Sequence, residues 1–126
     1  MVKIPADLKY TRTHEWFRID GDVLTLGISD YAQQQLTDIV YVDFPEIGAK
    51  KKRGDVLLTV ESVKSAEDVY SPADGEVIET NRSLEDRPES LNEDCYGNWM
   101  VKLRLTSGGD VEGMTDEEYR KFIGES

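Results

Sequence analysis

The sequence predicts a mainly β fold with short helices. Short β-type runs dominate the chain, and Gly, Pro, Asp and Asn turn residues separate them at close spacing, as in small sandwiches and barrels. Two stretches with helix-capping patterns interrupt the runs. A chain of 126 residues is long enough to bury a core without disulfides or metal. We therefore expect one domain over residues 1–126.

Six strands are predicted along the chain, each ending at turn residues. They are Trp16–Ile19, Val23–Ile28, Val40–Phe44, Val56–Val60, Gly75–Thr80 and Trp99–Leu105. In the fourth strand, Val56, Leu58 and Val60 alternate with Leu57 and Thr59. This period of two predicts that one face of the strand is buried and that the other is partly in water.

Two short helices are predicted from their first residues. Ser29 or Asp30 can cap a helix that ends near Leu36. Thr115-Asp-Glu-Glu118 is a capping box, and it opens a helix with an apolar stripe of Tyr119, Phe122 and Ile123. We expect this stripe to pack on the sheet.

A four-residue motif occurs twice. Gly21-Asp-Val-Leu24 recurs as Gly54-Asp-Val-Leu57, and Ser29 and Ser62 occupy the same place after the two runs. Two copies are too few for a solenoid, but they suit a domain built from two similar halves. Taken alone, the repeated motif is slightly better explained as a coincidence of common turn and strand residues than as a sign of two similar halves.

Charge and composition exclude several classes of function. The chain has 26 acidic and 15 basic residues, a formal charge of −11 that repels nucleic acid and anionic lipid. The basic stretch at positions 49–53 is interpreted as a solvated turn. Cys95 stands alone, and the opening MVKIPADLKYT resembles neither a signal nor a transit peptide. With no apolar run long enough to cross a bilayer, we expect a cytoplasmic protein that does not enter membranes.

The chain lacks the usual catalytic arrangements. It has one histidine, His14, and no GxSxG, CxxC, GxGxxG, GxxxxGK or HExxH motif. His14 and Cys95 are the only two soft ligands, which argues against a metal site. The sequence therefore predicts a protein that is not an enzyme and uses no metal.

Lys64 is the residue that the sequence singles out. It lies between two β-type runs and near the predicted tip of a hairpin, with Glu61, Glu67 and Asp68 close by. These carboxylates stabilise the ammonium, so Lys64 is a poor nucleophile. An exposed tip is nevertheless a good place for another enzyme to attach a group. Spacing and charge alone favour a merely solvated lysine.

The residues around Lys64 resemble those of a known protein family. Glu61-Ser-Val-Lys64, with Ser71-Pro72 and Gly75-Glu-Val77 after it, resembles the attachment region of glycine cleavage system H proteins. The resemblance extends over nearly the whole chain. It also includes Tyr10-Thr11, His14-Glu15-Trp16, Gly27-Ile28, Ala32-Gln33, Leu36, Val40-Tyr41-Val42, Pro45, Asn81, Leu91-Asn92, Trp99 and the closing helix from Met114 to Ile123.

The resemblance implies lipoic acid in amide linkage on Lys64 and a flattened barrel-sandwich hybrid of the lipoyl and biotinyl carrier type. The halves of that fold are pseudo-symmetric, which reverses the preference for coincidence in the repeated motif. The implied role is to shuttle the aminomethyl group of glycine between enzymes. The implied partners are a pyridoxal-phosphate glycine decarboxylase, a tetrahydrofolate-dependent aminomethyltransferase, dihydrolipoamide dehydrogenase and a lipoate-attaching enzyme.

The resemblance also implies a cleft that shelters the loaded arm. Thr13, Glu15 and Asp68 are its candidate lining residues. Glu61, Ser62 and Val63 are candidates for recognition by the modifying enzyme. Since no excess apolar stripe is visible, we expect a monomer.

Three departures from the family pattern and three rival functions remain. Ser65 replaces the usual alanine, Gln35 replaces a histidine of some members, and the loop before Trp99 is one residue shorter. A biotinyl carrier is disfavoured because Val63 and Ser65, rather than methionines, flank Lys64. A relay that donates lipoyl groups to other complexes and a pure interaction protein stay open.

Overall fold

The computed structural model describes residues 2–106 and 111–124. The strands of this part are β1 Lys9–Tyr10, β2 Glu15–Asp20, β3 Val23–Ile28, β4 Ile39–Asp43, β5 Lys50–Lys51, β6 Val56–Ser62, β7 Ala66–Tyr70, β8 Gly75–Thr80 and β9 Val101–Leu105. The helices are α1 Asp30–Leu36, α2 Ser83–Asp86, α3 Ser90–Glu93 and α4 Asp116–Phe122.

The strands form two antiparallel sheets that do not close into a barrel. One sheet has the order β1-β2-β3-β9-β8-β5 and the other the order β4-β6-β7. The core lies where buried side chains of both sheets meet, among them Leu24, Leu26 and Leu103 from the first and Val42 and Val60 from the second. The predicted mainly β fold of carrier type is confirmed.

A second, smaller cluster joins both ends of the described chain to the first sheet. Its buried members are Ile4, Leu8, Tyr10, Trp16 and Tyr119. Tyr119 of α4 stacks on Tyr10 of β1 with ring centroids 4.7 Å apart. The closing helix thus packs against the edge of the sheet, as its apolar stripe predicts, although Phe122 stays 41% exposed.

A β-bulge makes one burial prediction wrong. The pairing of β6 with β7 shifts register between Val56 and Leu58. Two consecutive residues, Leu57 and Leu58, are therefore buried, whereas Val56 is 43% exposed. The strict alternation predicted for this strand holds only after the bulge, where Leu58 and Val60 are buried.

Both predicted helix starts are confirmed. The Ser29 hydroxyl accepts a hydrogen bond from the Ala32 N–H, and Thr115 and Glu118 form a reciprocal capping box. The basic stretch is a turn only in part, since Arg53 lies in a turn but two of the lysines do not. Lys50 and Lys51 form β5, which pairs with β8 at the edge of the sheet, where lysines discourage pairing with other chains.

The two copies of the Gly-Asp-Val-Leu motif adopt the same local structure. Gly21 and Gly54 both have positive φ, 64° and 91°, and a strand begins two residues after each. The serines eight residues after these glycines also act alike: Ser29 accepts from the Ala32 N–H and Ser62 from the Ser65 N–H. The repeat is therefore structural.

Asn92 fixes α1 to the three-stranded sheet. Its carbonyl oxygen accepts from the Ile39 N–H at 3.0 Å, and its amide donates to the Thr37 carbonyl oxygen at 2.6 Å. The same amide reaches the Gln33 side chain at 2.9 Å. One side chain thus sets the position of α1 relative to β4, and α1 forms a wall of the cleft described below.

Candidate functional site

Strands β6 and β7 form a hairpin whose tip is held by hydrogen bonds at its base. The Ser62 N–H donates to the Ser65 carbonyl oxygen at 2.8 Å, and the Val63 N–H donates to the Asp38 carbonyl oxygen at 3.0 Å. The Ser62 hydroxyl also accepts from the N–H groups of Lys64 and Ser65. The turn is therefore anchored to the body of the protein as well as to its own strands.

Lys64 is exposed at this tip, as predicted. Within residues 2–106 and 111–124, its side chain makes no hydrogen bond or ion pair. The candidates for enzyme recognition flank it: Val63 is 67% exposed, Glu61 lies on the open face of β6, and Ser62 shapes the turn. The Lys64 ammonium is therefore accessible and, among the described residues, unpaired.

A cleft of about 310 Å³ lies beside the hairpin. Its walls come from the loop before β2, from α1 and from β7, and its floor comes from the core. The lining residues are Thr13, His14, Ile28, Tyr31, Ala32, Gln35, Leu36, Val60, Ser65, Glu67, Asp68 and Val69. This hairpin cleft begins next to Lys64, because Ser65 belongs to its wall.

Two of the three predicted cleft residues meet in the hairpin cleft. Thr13 and Asp68 both line it. One carboxylate oxygen of Asp68 accepts from the Thr59 hydroxyl at 3.1 Å, while the other has no hydrogen-bond partner in the described part of the chain. Gln35, noted as a departure from the family pattern, also lines this cleft.

The structure places Glu15 elsewhere. Its side chain is 1% exposed, and its carboxylate accepts from the Thr11 and Thr13 hydroxyls and from the Tyr70 N–H. Burial raises the pKa of Glu15, although these hydrogen bonds oppose the shift. Glu15 thus ties the loop that bears Thr13 to the end of β7, and it reaches the hairpin cleft only through Thr13.

A wider groove of about 810 Å³ lies on the other side of Glu15. Glu15 and Thr13 both line it, together with the cations Lys9, Arg12 and Arg53. Arg53 lies 3.8 Å from Glu112 of the same groove. One of the three cations is therefore paired with a carboxylate of the same groove.

His14 also lines the hairpin cleft, although the sequence analysis did not propose it as a cleft residue. Its backbone has a φ of 71°, rare for a residue with a side chain. Its Nδ1 lies 2.8 Å from the hydroxyl of Tyr119, a residue 105 positions away. Burial lowers the pKa of His14. No local pattern links these two residues, since Tyr119 fits equally well as an apolar packing residue.

In the described part of the chain, His14 and Cys95 have different hydrogen-bond partners. His14 is bonded to a tyrosine. Cys95 is buried, and its backbone carbonyl oxygen accepts from the Trp16 indole at 3.1 Å. Burial raises the pKa of the Cys95 thiol to about 12. What the arrangement offers chemically is an accessible amine on an anchored turn, next to a cleft with carboxylates.

A two-sheet β fold that displays a lysine on an anchored hairpin tip fits the class of carrier proteins. A family model described as "Glycine cleavage H-protein" matches residues 8–126, and the chain belongs to this family. It is 62% identical over 125 residues to a probable glycine cleavage system H protein of Picrophilus torridus, covering 99% of this chain and 100% of that protein.

Two further relatives widen the comparison. The glycine cleavage system H protein of Rubrobacter xylanophilus is 49% identical over 126 residues, covering 99% of this chain and 98% of the relative. The crystal structure of an H protein from Mycobacterium marinum matches with a TM-score of 0.88 at 33% identity, covering 96% of this chain and 99% of that one. No helix in the described residues is long and apolar enough to span a membrane.

Proposed function

We propose that this chain carries lipoic acid in amide linkage on Lys64 and shuttles the aminomethyl group of glycine between the enzymes of the glycine cleavage system. The observation that carries the proposal is the exposed Lys64 side chain on an anchored hairpin tip beside a cleft. Membership of the glycine cleavage H-protein family is the reason for proposing a lipoyl group and this pathway.

The residues present fit an amide-linked group. Acylation removes the charge of Lys64, and it breaks no ion pair among the described residues. The fixed turn gives a long arm one origin, from which it can sample partner active sites at high effective concentration. When bound, the lipoyl group supplies thiol–disulfide chemistry.

We propose Thr13 and Asp68 as the side chains that meet the arm in the hairpin cleft. The unpaired oxygen of Asp68 is suited to a charge-assisted hydrogen bond with an amine. Glu15 is a positioning residue in this proposal, since its carboxylate already accepts from three donors and holds the Thr13 hydroxyl.

The proposed partners follow from the pathway. They are glycine decarboxylase, which loads the arm, the aminomethyltransferase, which unloads it, and dihydrolipoamide dehydrogenase, which reoxidises it. A lipoate-attaching enzyme would read the turn through Glu61, Ser62 and Val63. The chain itself acts as a non-catalytic, monomeric, cytoplasmic carrier comprising one domain. Light scattering at low and high concentration tests the monomer, and a persistent dimer would contradict it.

The proposed function is tested by intact mass and peptide mapping of the protein from its native source. We expect a lipoyl increment on the peptide that contains Lys64. Lys64→Arg should abolish the increment and all glycine-dependent release of CO₂ with the partner enzymes, whereas the matched variant Lys52→Arg should leave both unchanged. An unmodified Lys64, in cells that lipoylate other carriers, would refute the proposal.

A further inference from the structure

The single histidine of the chain lies in the wall of the hairpin cleft in an unusual backbone conformation. The positive φ of His14 is maintained by two backbone hydrogen bonds, from its own N–H to the Thr11 carbonyl oxygen at 3.1 Å and from the Ser29 N–H to its carbonyl oxygen at 2.9 Å. The centroid of its ring lies 4.7 Å from the ring centroid of Tyr31 and 5.9 Å from that of Phe122. Such a strained residue persists only where its surroundings over-determine it, and functional sites are common places for this.

A chain of hydrogen bonds ends at this ring. The hydroxyls of Ser29 and Tyr119 lie 2.7 Å apart, and the Tyr119 hydroxyl lies 2.8 Å from Nδ1 of His14. Ser29 and Tyr119 are fully buried. Water therefore does not satisfy these groups, and the direction of each hydrogen bond follows from which partners are available.

The direction is set at Ser29. Its oxygen already accepts from the Ala32 N–H as the cap of α1. Its own proton needs an acceptor, and within the described residues the Tyr119 oxygen is the one within reach. Tyr119 then accepts from Ser29 and directs its proton to His14. Nδ1 of His14 is thus an acceptor, so the ring proton resides on Nε2.

The charged groups near the ring do not all act in one direction on its protonation. Glu67 and Asp68 from β7 line the same cleft, and their charges favour an imidazolium. On the α4 side, Arg12 lies over the Phe122 ring at 5.5 Å, and its charge disfavours one. Adding a proton at Nδ1 would require both hydroxyls to reverse and would leave the Ser29 proton with no acceptor.

We propose that Ser29 and Tyr119 are positioning residues that hold His14 as the neutral Nε2–H tautomer, so that the wall of the hairpin cleft offers a hydrogen-bond donor without a positive charge. Nε2 makes no hydrogen bond to any described residue and is available to a ligand in the cleft. The burial that lowers the pKa of His14 acts in the same direction.

The use of this arrangement rests on the proposed function. An amine delivered on the arm takes up a proton, and a positively charged imidazole in the wall would repel it. A neutral His14 leaves the carboxylates of Glu67 and Asp68 unopposed as the groups that hold a cation in this cleft. The Nε2–H group remains able to donate to an uncharged acceptor on the arm.

The first test reads the tautomer directly in the protein without lipoate. Because the chain has one histidine, a long-range ¹H–¹⁵N spectrum of uniformly labelled protein shows the two ring nitrogens of His14 alone. We expect Nδ1 to resonate as an acceptor and Nε2 as a protonated nitrogen, with a titration midpoint below the ordinary value of about 6.5. A proton on Nδ1, or a midpoint at or above the ordinary value, would overturn the proposal.

Paired variants then identify the residue responsible. Tyr119→Phe keeps the stacked ring but removes the hydroxyl, and we expect a mixture of tautomers and a midpoint that moves up toward about 6.5. Tyr31→Phe is the matched control, because Tyr31 contacts the same ring and its hydroxyl makes no hydrogen bond in the described residues. Equal spectra for the two variants would overturn the role of Tyr119. Should Tyr119→Phe fail to fold, the wild-type spectrum still decides the tautomer.

A second test uses the lipoylated protein loaded with the aminomethyl group. We expect Tyr119→Phe to lose the loaded group several-fold faster than wild type below about pH 6.5 and at the wild-type rate well above it. If the variant loses the aminomethyl group faster by the same factor at every pH, the effect is purely structural, and the proposed use of a neutral His14 is overturned. If Lys64 carries no lipoate, the proposed function fails, yet the tautomer measurement remains valid.

Discussion

The two copies of the Gly-Asp-Val-Leu motif begin alike and end differently. Each starts with a glycine of positive φ, continues as a strand inside its sheet, and reaches a serine that accepts from an N–H three residues on. After Ser29 the chain forms helix α1, whereas after Ser62 it turns at once into β7. One copy builds a wall of the cleft, and the other displays Lys64.

Burial accounts for the difference between the two serines. Ser29 is fully buried and bonded to Tyr119, so its cap is locked into the second cluster. Ser62 is half-buried, and among the described residues its hydroxyl bonds only within its own turn. Equal local signals thus give equal local geometry, while distant packing decides whether the segment becomes part of the scaffold or a projecting tip.

The largest expected effect tests whether the two copies are equally important to the core. Leu24→Ala and Leu57→Ala should each reduce the free energy of unfolding by about 2–5 kcal/mol, because both side chains are buried in the same core. Urea denaturation measures this. Val56→Ala, at an exposed position of the same strand as Leu57, is the control and should cost far less. A large loss at only one leucine would break the comparison.

Substitution of the two serines should destabilise the protein to different extents. Ser29→Ala removes a helix cap and the partner of Tyr119, so we expect a loss of about 2 kcal/mol in the free energy of unfolding. Ser62→Ala affects a partly solvated turn and should cost less than about 0.5 kcal/mol. Thermal or urea unfolding of the two variants checks this order. Equal losses would show that burial is not what distinguishes the copies.

Substitution of the two glycines should destabilise the protein to a similar extent in both copies of the motif. At Gly21 and Gly54, no atom lies within 4 Å of the position that a Cβ would occupy, so Ala substitution introduces only backbone strain, about 1–2 kcal/mol at each site. Asn, which tolerates positive φ better, should cost less than Ala at both positions. Unfolding measurements that give clearly unequal values for the two Ala variants would mean that the turns differ more than their dihedral angles indicate.

The smallest expected effect concerns Glu15, which links β2 of the six-stranded sheet to β7 of the three-stranded sheet through the Tyr70 N–H. Burial raises the pKa of Glu15, so the folded protein retains a proton that the unfolded chain loses near pH ~4.3. The contribution of Glu15 to stability is therefore largest at low pH and falls as the pH rises toward its folded pKa.

Glu15→Gln should remove this dependence. The difference in free energy of unfolding, wild type minus variant, should decline as the pH rises from about 4, and urea denaturation across that range measures it. Taking the difference removes the opposite contribution of His14, whose lowered pKa reduces stability as the pH falls below its ordinary value. Parallel curves for the two proteins would contradict the predicted effect.

Much of the fold was predictable because its signals are local. Strand alternation, turn residues and the caps at Ser29 and Thr115 lie within a few positions of the elements they define. The two-residue strands β1 and β5 and the one-turn helices α2 and α3 are too short to carry a pattern. The bulge that buries Leu57 depends on the register with β7, and a single strand does not contain that information.

The candidate site, like the fold, was predictable only where its signals are local. The exposed position of Lys64 follows from the hairpin around it. The burial of Glu15 could not be predicted, because a charged residue in an acidic chain is expected at the surface, and its three donors come together only in the fold. The contact of His14 with Tyr119 spans 105 residues and leaves no trace in the local sequence.

The buried Cys95 has one further consequence. Only a thiolate attacks a disulfide, and a thiol with a pKa raised to about 12 is almost entirely protonated at neutral pH. The Cys95 thiol of the folded chain is therefore poorly suited to attack a disulfide. If Lys64 carries lipoic acid as proposed, the dithiolane of one copy is protected from attack by Cys95 of another, and two copies are not readily cross-linked through this residue.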